Sequence, residues 1–171
     1  MSEDITVFVN CCDDRVVKAD YESMKQSQVF LDMVEALNID SHETGRMEFP
    51  AKKVKGATME NVVEWCKNHI DVLEPEIKER PDTKERIWFD FTEQEANFFK
   101  ALQTQEVIEL ANAADYLSIH HLYMFCCQNL AQRIKDVDLD PEKIREMFDL
   151  PDDLTEQEKK EIKEKNVWCN Y

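Results

Sequence analysis

The sequence predicts an α+β protein: a small sheet with helices, followed by an all-helical C-terminal half. Three observations carry that expectation. Ile5, Val7 and Val9 alternate with Thr6, Phe8 and Asn10, the two-residue period of a strand. From Asp20 the apolar period lengthens to that of a helix, with Val29, Met33 and Leu37 in one row and Phe30 and Val34 beside them. Between Thr104 and Lys135 two helix-like runs each carry two apolar rows, where a surface helix needs one.

Taken in order, RVVKA at 15–19 reads as a second strand after a turn at Asp13 and Asp14, completing a hairpin. Met24 starts a short helical piece, the next helix ends near Asn38, and IDSHETGR reads as a polar loop. Met47 to Phe49 form a short strand stopped by Pro50, because proline has no N–H to give a ladder. Thr58 is expected to cap a helix that brings Met59, Val62, Val63 and Cys66 to one face, against the sheet. Residues 71–86, DVLEPEIKERPDTKER, are charged and twice interrupted by proline, which predicts a mobile loop. Thr92 and Glu95 then have capping-box spacing ahead of Ala96, Phe98 and Phe99.

In the first of the two long runs Val107, Ala111 and Ala114 make one row and Leu110, Ala113 and Leu117 another, leaving Glu109, Asn112 and Tyr116 as a polar strip. In the second, Tyr123, Cys127, Leu130 and Ile134 make one row, and Leu122, Phe125 and Cys126 the other. The chain beyond Lys135 has few apolar residues to cover a second face, so the surplus rows are expected to stay open for binding. Asp140 followed by Pro141 is a helix start of the N-cap and N1 type, and Ile144, Met147 and Phe148 give that helix one apolar face. Thr155 and Glu158 have capping-box spacing, yet EQEKKEIKEKN has only Ile162 to bury. Trp168, at the end of so polar a segment, is either a surface residue or an interface anchor.

With 171 residues and 43% hydrophobic side chains, the chain is long enough for a real core. A net charge of -16 argues against nucleic acid or an anionic membrane as partner, since both would be repelled, and favours a protein that binds proteins. No apolar run approaches the ~20 residues of a membrane span. MSEDITVF lacks the basic start and apolar stretch of a signal peptide, so the expected setting is cytoplasm and nucleus. The six cysteines read as reduced, small buried hydrophobes, since neither Cys11/Cys12 nor Cys126/Cys127 has C-x-x-C spacing. His120, His121, Cys126 and Cys127 lie within one helical segment. Neighbours on a helix diverge by ~100°, so at most one His and one Cys share a face, too few for a closed zinc site. Cys66 and Cys169 lack a placeable base, and Asp152 with Asp153 reads as a solvated turn. The two glycines, Gly45 and Gly56, rule out a nucleotide-binding fingerprint. No active site, metal or cofactor is expected.

KQSQVFLDMVEAL, the MEFP strand, ENVVEWCKNH, ELANAADYLSIHHL, PEKIREMF and the terminal DLTEQEKKEIKEKNVWC together resemble, in that order, the S-phase kinase-associated adaptor family of SCF ubiquitin ligases. The resemblance covers nearly the whole chain. It implies a short POZ/BTB fold with appended F-box-binding helices. The N-terminal part of the POZ domain would span 1–70, the charged loop 71–86, the remaining POZ helices 87–135, and the F-box-clasping tail 136–171. It further implies a non-catalytic adaptor that holds a cullin and an F-box protein. The F-box face would comprise Val107, Ile108 and Ala111, then Tyr123, Cys127, Leu130 and Ile134, then Ile144, Phe148 and Trp168; the cullin face would include Asp115 and Tyr116. The family usually has an aromatic where Ile108 stands, bulkier aliphatics at Ala111 and Asn112, and Asn at Asp115, which implies a divergent paralogue with altered F-box preference. The alternative is a POZ scaffold or F-box chaperone that engages no cullin and self-associates.

Overall fold

The computed structural model describes residues 5–38, 46–138 and 140–167. They fall into two compact units, Met1–Arg133 and Ile134–Tyr171.

The first unit is built on a three-stranded sheet. β1 (Thr6–Cys11) lies in the middle, antiparallel to β2 (Val16–Asp20) and parallel to β3 (Arg46–Ala51). The register sets Val7 beside Ala19 and Met47, and Val9 beside Val17 and Phe49. All six are buried on one face, as the two-residue period requires. On the other face the guanidinium of Arg46 sits 4.4 Å from the Phe8 ring centroid. Pro50 does not stop β3 but lies within it, opposite Asn10. An edge strand tolerates this, because a residue whose N–H would face outward loses no ladder bond.

Helix α1 (Tyr21–Met24) follows β2 directly, so Met24 ends this piece rather than starting it. The Asp20 carboxylate accepts from the Ser23 N–H and hydroxyl, each at 2.8 Å. Burial tends to raise the Asp20 pKa, but these hydrogen bonds outweigh it and hold the carboxyl below the usual range. In α2 (Gln28–Ala36) the N-cap Ser27 accepts from Phe30 N–H at 3.2 Å and donates to the Leu117 carbonyl at 2.6 Å, tying this helix to a distant one. The chain leaves α2 through Asn38 at φ 47°; of the polar loop IDSHETGR expected over 39–46, residues 39–45 lie outside the described residues and Arg46 begins β3.

Thr58 does not cap α3 (Gly56–Asn68); it lies inside the helix and donates to Glu109 at 3.3 Å. The helix N-terminus is closed from the β1–β2 turn, where the Asp13 carboxylate accepts the Gly56 N–H at 3.1 Å. The Arg15 side chain of that turn comes so close that a Cβ on Gly56 would stand 2.7 Å from Arg15 Cδ and would have to displace it.

Within residues 71–86 the chain is not featureless. It forms most of a small antiparallel hairpin, β4 (Lys78–Glu79) with β5 (Arg86–Ile87), turned through Lys84 at φ 60°. α4 (Glu93–Ala101) opens with the expected capping box of Thr92 and Glu95. α5 (Thr104–Tyr116) is joined to α6 (His120–Asp136) by a Schellman turn. There Ile119 N–H reaches the Ala114 carbonyl at 2.8 Å, Ser118 takes φ 53°, and Ile119 is buried beyond it. Arg133 of α6 satisfies the end of α4, donating to the Phe99 carbonyl at 2.7 Å and the Leu102 carbonyl at 2.8 Å.

The helical side of this core centres on Trp65, 1% exposed and in ring contact with Phe98, Phe99, Phe125, His69 and His121. The second unit, by contrast, contains α7 (Pro141–Met147) and α8 (Glu156–Lys165), neither with a buried residue.

Candidate functional site

The expected binding residues differ in exposure. Val107 is 0% exposed and Ala111 8%, both within the core of the first unit. Their row on α5 points inward, and of the three expected α5 residues only Ile108 is half-buried. Periodicity shows that such residues share a face of the helix, but not what covers that face.

On α6 the expected row is available. Tyr123 is 39% exposed, and Cys127, Leu130 and Ile134 are half-buried at helical spacing along one continuous helix. The other row, Leu122, Phe125 and Cys126, is buried and anchors the helix to the core. Leu130 packs at the margin of that core. A hydrogen bond with the Cys127 thiol, one turn away, raises the Tyr123 pKa.

Within the second unit, α7 has the N-cap and N1 chemistry expected: the Asp140 carboxylate accepts from Glu142 N–H at 2.9 Å, with Pro141 at the helix start. Ile144 and Phe148 remain half-buried, while Leu150 is 57%, Leu154 37% and Ile162 46% exposed. Helix α8 opens with the expected Thr155–Glu158 capping box. Its Lys159 reaches Asp152 at 2.6 Å and Glu142 at 3.5 Å, and Arg145 meets the same two carboxylates at 2.9 and 2.7 Å. Polar contacts thus order this unit, and its apolar side chains are left without a core. Trp168 lies outside the described residues.

At the C-terminal end of α5, Asp115 is exposed and Tyr116 half-buried, with the Lys53 ammonium 5.5 Å from the Tyr116 ring centroid. The two residues are adjacent, accessible and on the polar side of the helix.

The candidate chemical groups are tied up structurally. His121 is buried, and its Nδ1 accepts the Trp65 indole N–H at 3.2 Å. Burial, reinforced by the nearby His69, pulls its pKa down to about 4, so it is neutral at physiological pH. His69 stacks on Trp65 at 3.9 Å, with its Nδ1 2.7 Å from the Trp65 carbonyl and Nε2 3.2 Å from the Glu95 carboxylate. This buried link between the end of α3 and the start of α4 was missed in the sequence; the i, i+4 spacing of Trp65 and His69 is its one local trace. Burial first, then Asp20, pushes the Cys66 thiol up to about 12; burial first, then Asp13, raises Cys11 to about 11. Neither is poised as a nucleophile. Among the described residues no group of three or more His, Cys, Asp or Glu is placed to hold a metal ion. No described helix is long and apolar enough to cross a membrane.

These features define a class: a small POZ-type α+β domain followed by a helical unit with no buried residue in its helices, a scaffold for protein docking. Residues 6–71 match the tetramerisation domain of the Skp1 family, and residues 120–169 match its dimerisation domain. The chain belongs to the Skp1 family, as a divergent member. It is 28% identical over 157 residues to an S-phase kinase-associated protein 1 homolog of Tetrahymena thermophila, covering 92% of this chain and 89% of that protein. It is 27% identical over 164 residues to a Skp1-related protein of Caenorhabditis elegans, covering 95% and 90% respectively. A SKP1-like protein 19 of Arabidopsis thaliana is 25% identical over 182 residues, covering 90% of each chain.

Proposed function

We propose that this protein is a non-catalytic adaptor subunit of an SCF-type ubiquitin ligase, bridging a cullin and an F-box substrate receptor. Family membership across both halves of the chain supports the adaptor role. The observation that carries the F-box side is the second unit: two well-capped helices with no buried residue, presenting Ile144, Phe148, Leu154 and Ile162 without a core to receive them. Apolar surface of this kind marks an interaction site. The accessible α6 row of Tyr123, Cys127, Leu130 and Ile134, with Ile108 on α5, also serves F-box binding. Asp115 and Tyr116 supply the cullin face.

The adaptor performs no bond chemistry; it raises the local concentration of a receptor-bound substrate beside the ligase. It would work in cytoplasm and nucleus. Mixing the purified chain with an F-box segment and a cullin N-terminal fragment, followed by size exclusion, tests the reading. A ternary complex is expected. An F-box complex that excludes the cullin, or self-association that buries the Tyr123 to Ile134 row, would instead favour the scaffold or F-box chaperone.

A further inference from the structure

We propose that the cullin-facing surface extends from the end of α5 onto the β3–α3 turn. There the exposed Lys52 and Lys53, with Lys53 against Tyr116, supply positive charge next to the residue that follows the negative Asp115 in the chain, and this charge selects a cullin segment that offers an acidic side chain. The inference rests on the reading of Asp115 and Tyr116 as the cullin face.

Lys53 is exposed, and its ammonium lies over the Tyr116 ring at 5.5 Å from the centroid, so the turn and the end of α5 are one surface. The lysines of this turn are not equivalent. Lys55 is held by Glu109 at 2.7 Å, whereas Lys52 and Lys53 have no acidic partner among the described residues. Two uncompensated positive charges side by side are notable in a chain with net charge -16. Asp115 is exposed and likewise without an ion pair among the described residues.

A partner that buries the Tyr116 ring must also desolvate the ammonium covering it. A desolvated cation is costly unless a counter-charge meets it, so the complementary surface has to bring a carboxylate to Lys53. The opposite sign at Asp115 then disfavours a uniformly acidic partner and fixes the orientation of a mixed one, as complementary charge patterns do.

The test is calorimetric titration of a cullin N-terminal fragment into the parent chain, Lys52→Glu/Lys53→Glu, Lys53→Arg and Asp115→Lys/Tyr116→Lys. Melting and F-box binding of each serve as fold controls. Lys52→Glu/Lys53→Glu should weaken cullin binding by at least about tenfold and flatten its salt dependence, while Lys53→Arg keeps both. If the double lysine variant binds as the parent does while Asp115→Lys/Tyr116→Lys fails, the cullin face stands and the extension is overturned. If Asp115→Lys/Tyr116→Lys also binds as the parent does, or if the parent itself binds no cullin, the face and its extension fall together.

Discussion

Helices α3 and α8 are comparable in length and end in opposite circumstances. α3 has 13 residues, seven of them buried, and holds Trp65 at the centre of an aromatic cluster. α8 has 10 residues, none buried, and is the better capped of the two: a reciprocal Thr155–Glu158 box closes it, whereas α3 has no side-chain bond from its own N-cap. Regular helix geometry is therefore not a sign of core membership. In α3 apolar burial supplies the stabilisation. In α8 it comes from caps and from carboxylates shared by Lys159 and Arg145, interactions that are weak in water and screened by salt. A helix of that kind is free to take its apolar stabilisation from a partner.

The largest expected effect lies on the α3 side. Trp65→Ala should cost about 3–5 kcal/mol of unfolding free energy, as for other large aromatic truncations in cores. Phe148→Ala should cost less than about 1 kcal/mol in the free chain, because its site has no enclosing core. Denaturant melts of the two variants would break the comparison if the costs came out equal.

The core should also carry an acid sensitivity that comes from a buried histidine. His121 has its pKa lowered from 6.5 to about 4 on folding, so between those values the unfolded chain binds more protons than the folded one. Stability from this residue is full above about pH 6.5 and is lost as pH falls towards 4, by on the order of 3 kcal/mol. His121→Asn keeps an acceptor for the Trp65 N–H and removes the titration. Its melting temperature should fall less steeply than the parent's over that interval, and parallel curves would refute the assignment.

On binding, the order of importance should invert. Phe148→Ala or Ile134→Asp should weaken F-box affinity by about 1–3 kcal/mol while leaving the free chain folded. An F-box titration that cannot tell these variants from the parent would remove α7 and the end of α6 from the face. The smallest effect should be that of Lys159→Ala. Amide exchange in α8 should accelerate slightly, α3 should be unaffected, and added salt should erase the difference. Exchange in α8 of the parent as slow as in α3 would mean that the tail does not depend on surface charges.

Interactions confined to a few neighbouring residues could be read directly. The boxes of Thr92 with Glu95 and of Thr155 with Glu158, and the start at Asp140 and Pro141, all formed as the spacing indicates. The buried alternation of β1 and β2 did as well. Thr58 misled because its residue type suits a cap, but the carboxylate that closes the helix is Asp13, 43 residues from the Gly56 N–H that it accepts.

What this sequence determined by itself is the strands β1 and β2, the helices and the local caps of α4, α7 and α8, and, through its order of motifs, the family. Those follow from periods of two and 3.6 residues and from bonds spanning three or four positions, which no tertiary arrangement has to supply. The tertiary structure alone decided which face of each helix is spent internally. It turned Val107 and Ala111 into the core and left the Tyr123 row accessible. It joined Asp13 to Gly56, His69 to Glu95 and Lys53 to Tyr116, and paired β4 with β5 inside a charged stretch. The physical reason is that burial belongs to pairs of surfaces: a sequence can show that an apolar row exists, and only the neighbour that meets it settles whether the row becomes core or interface.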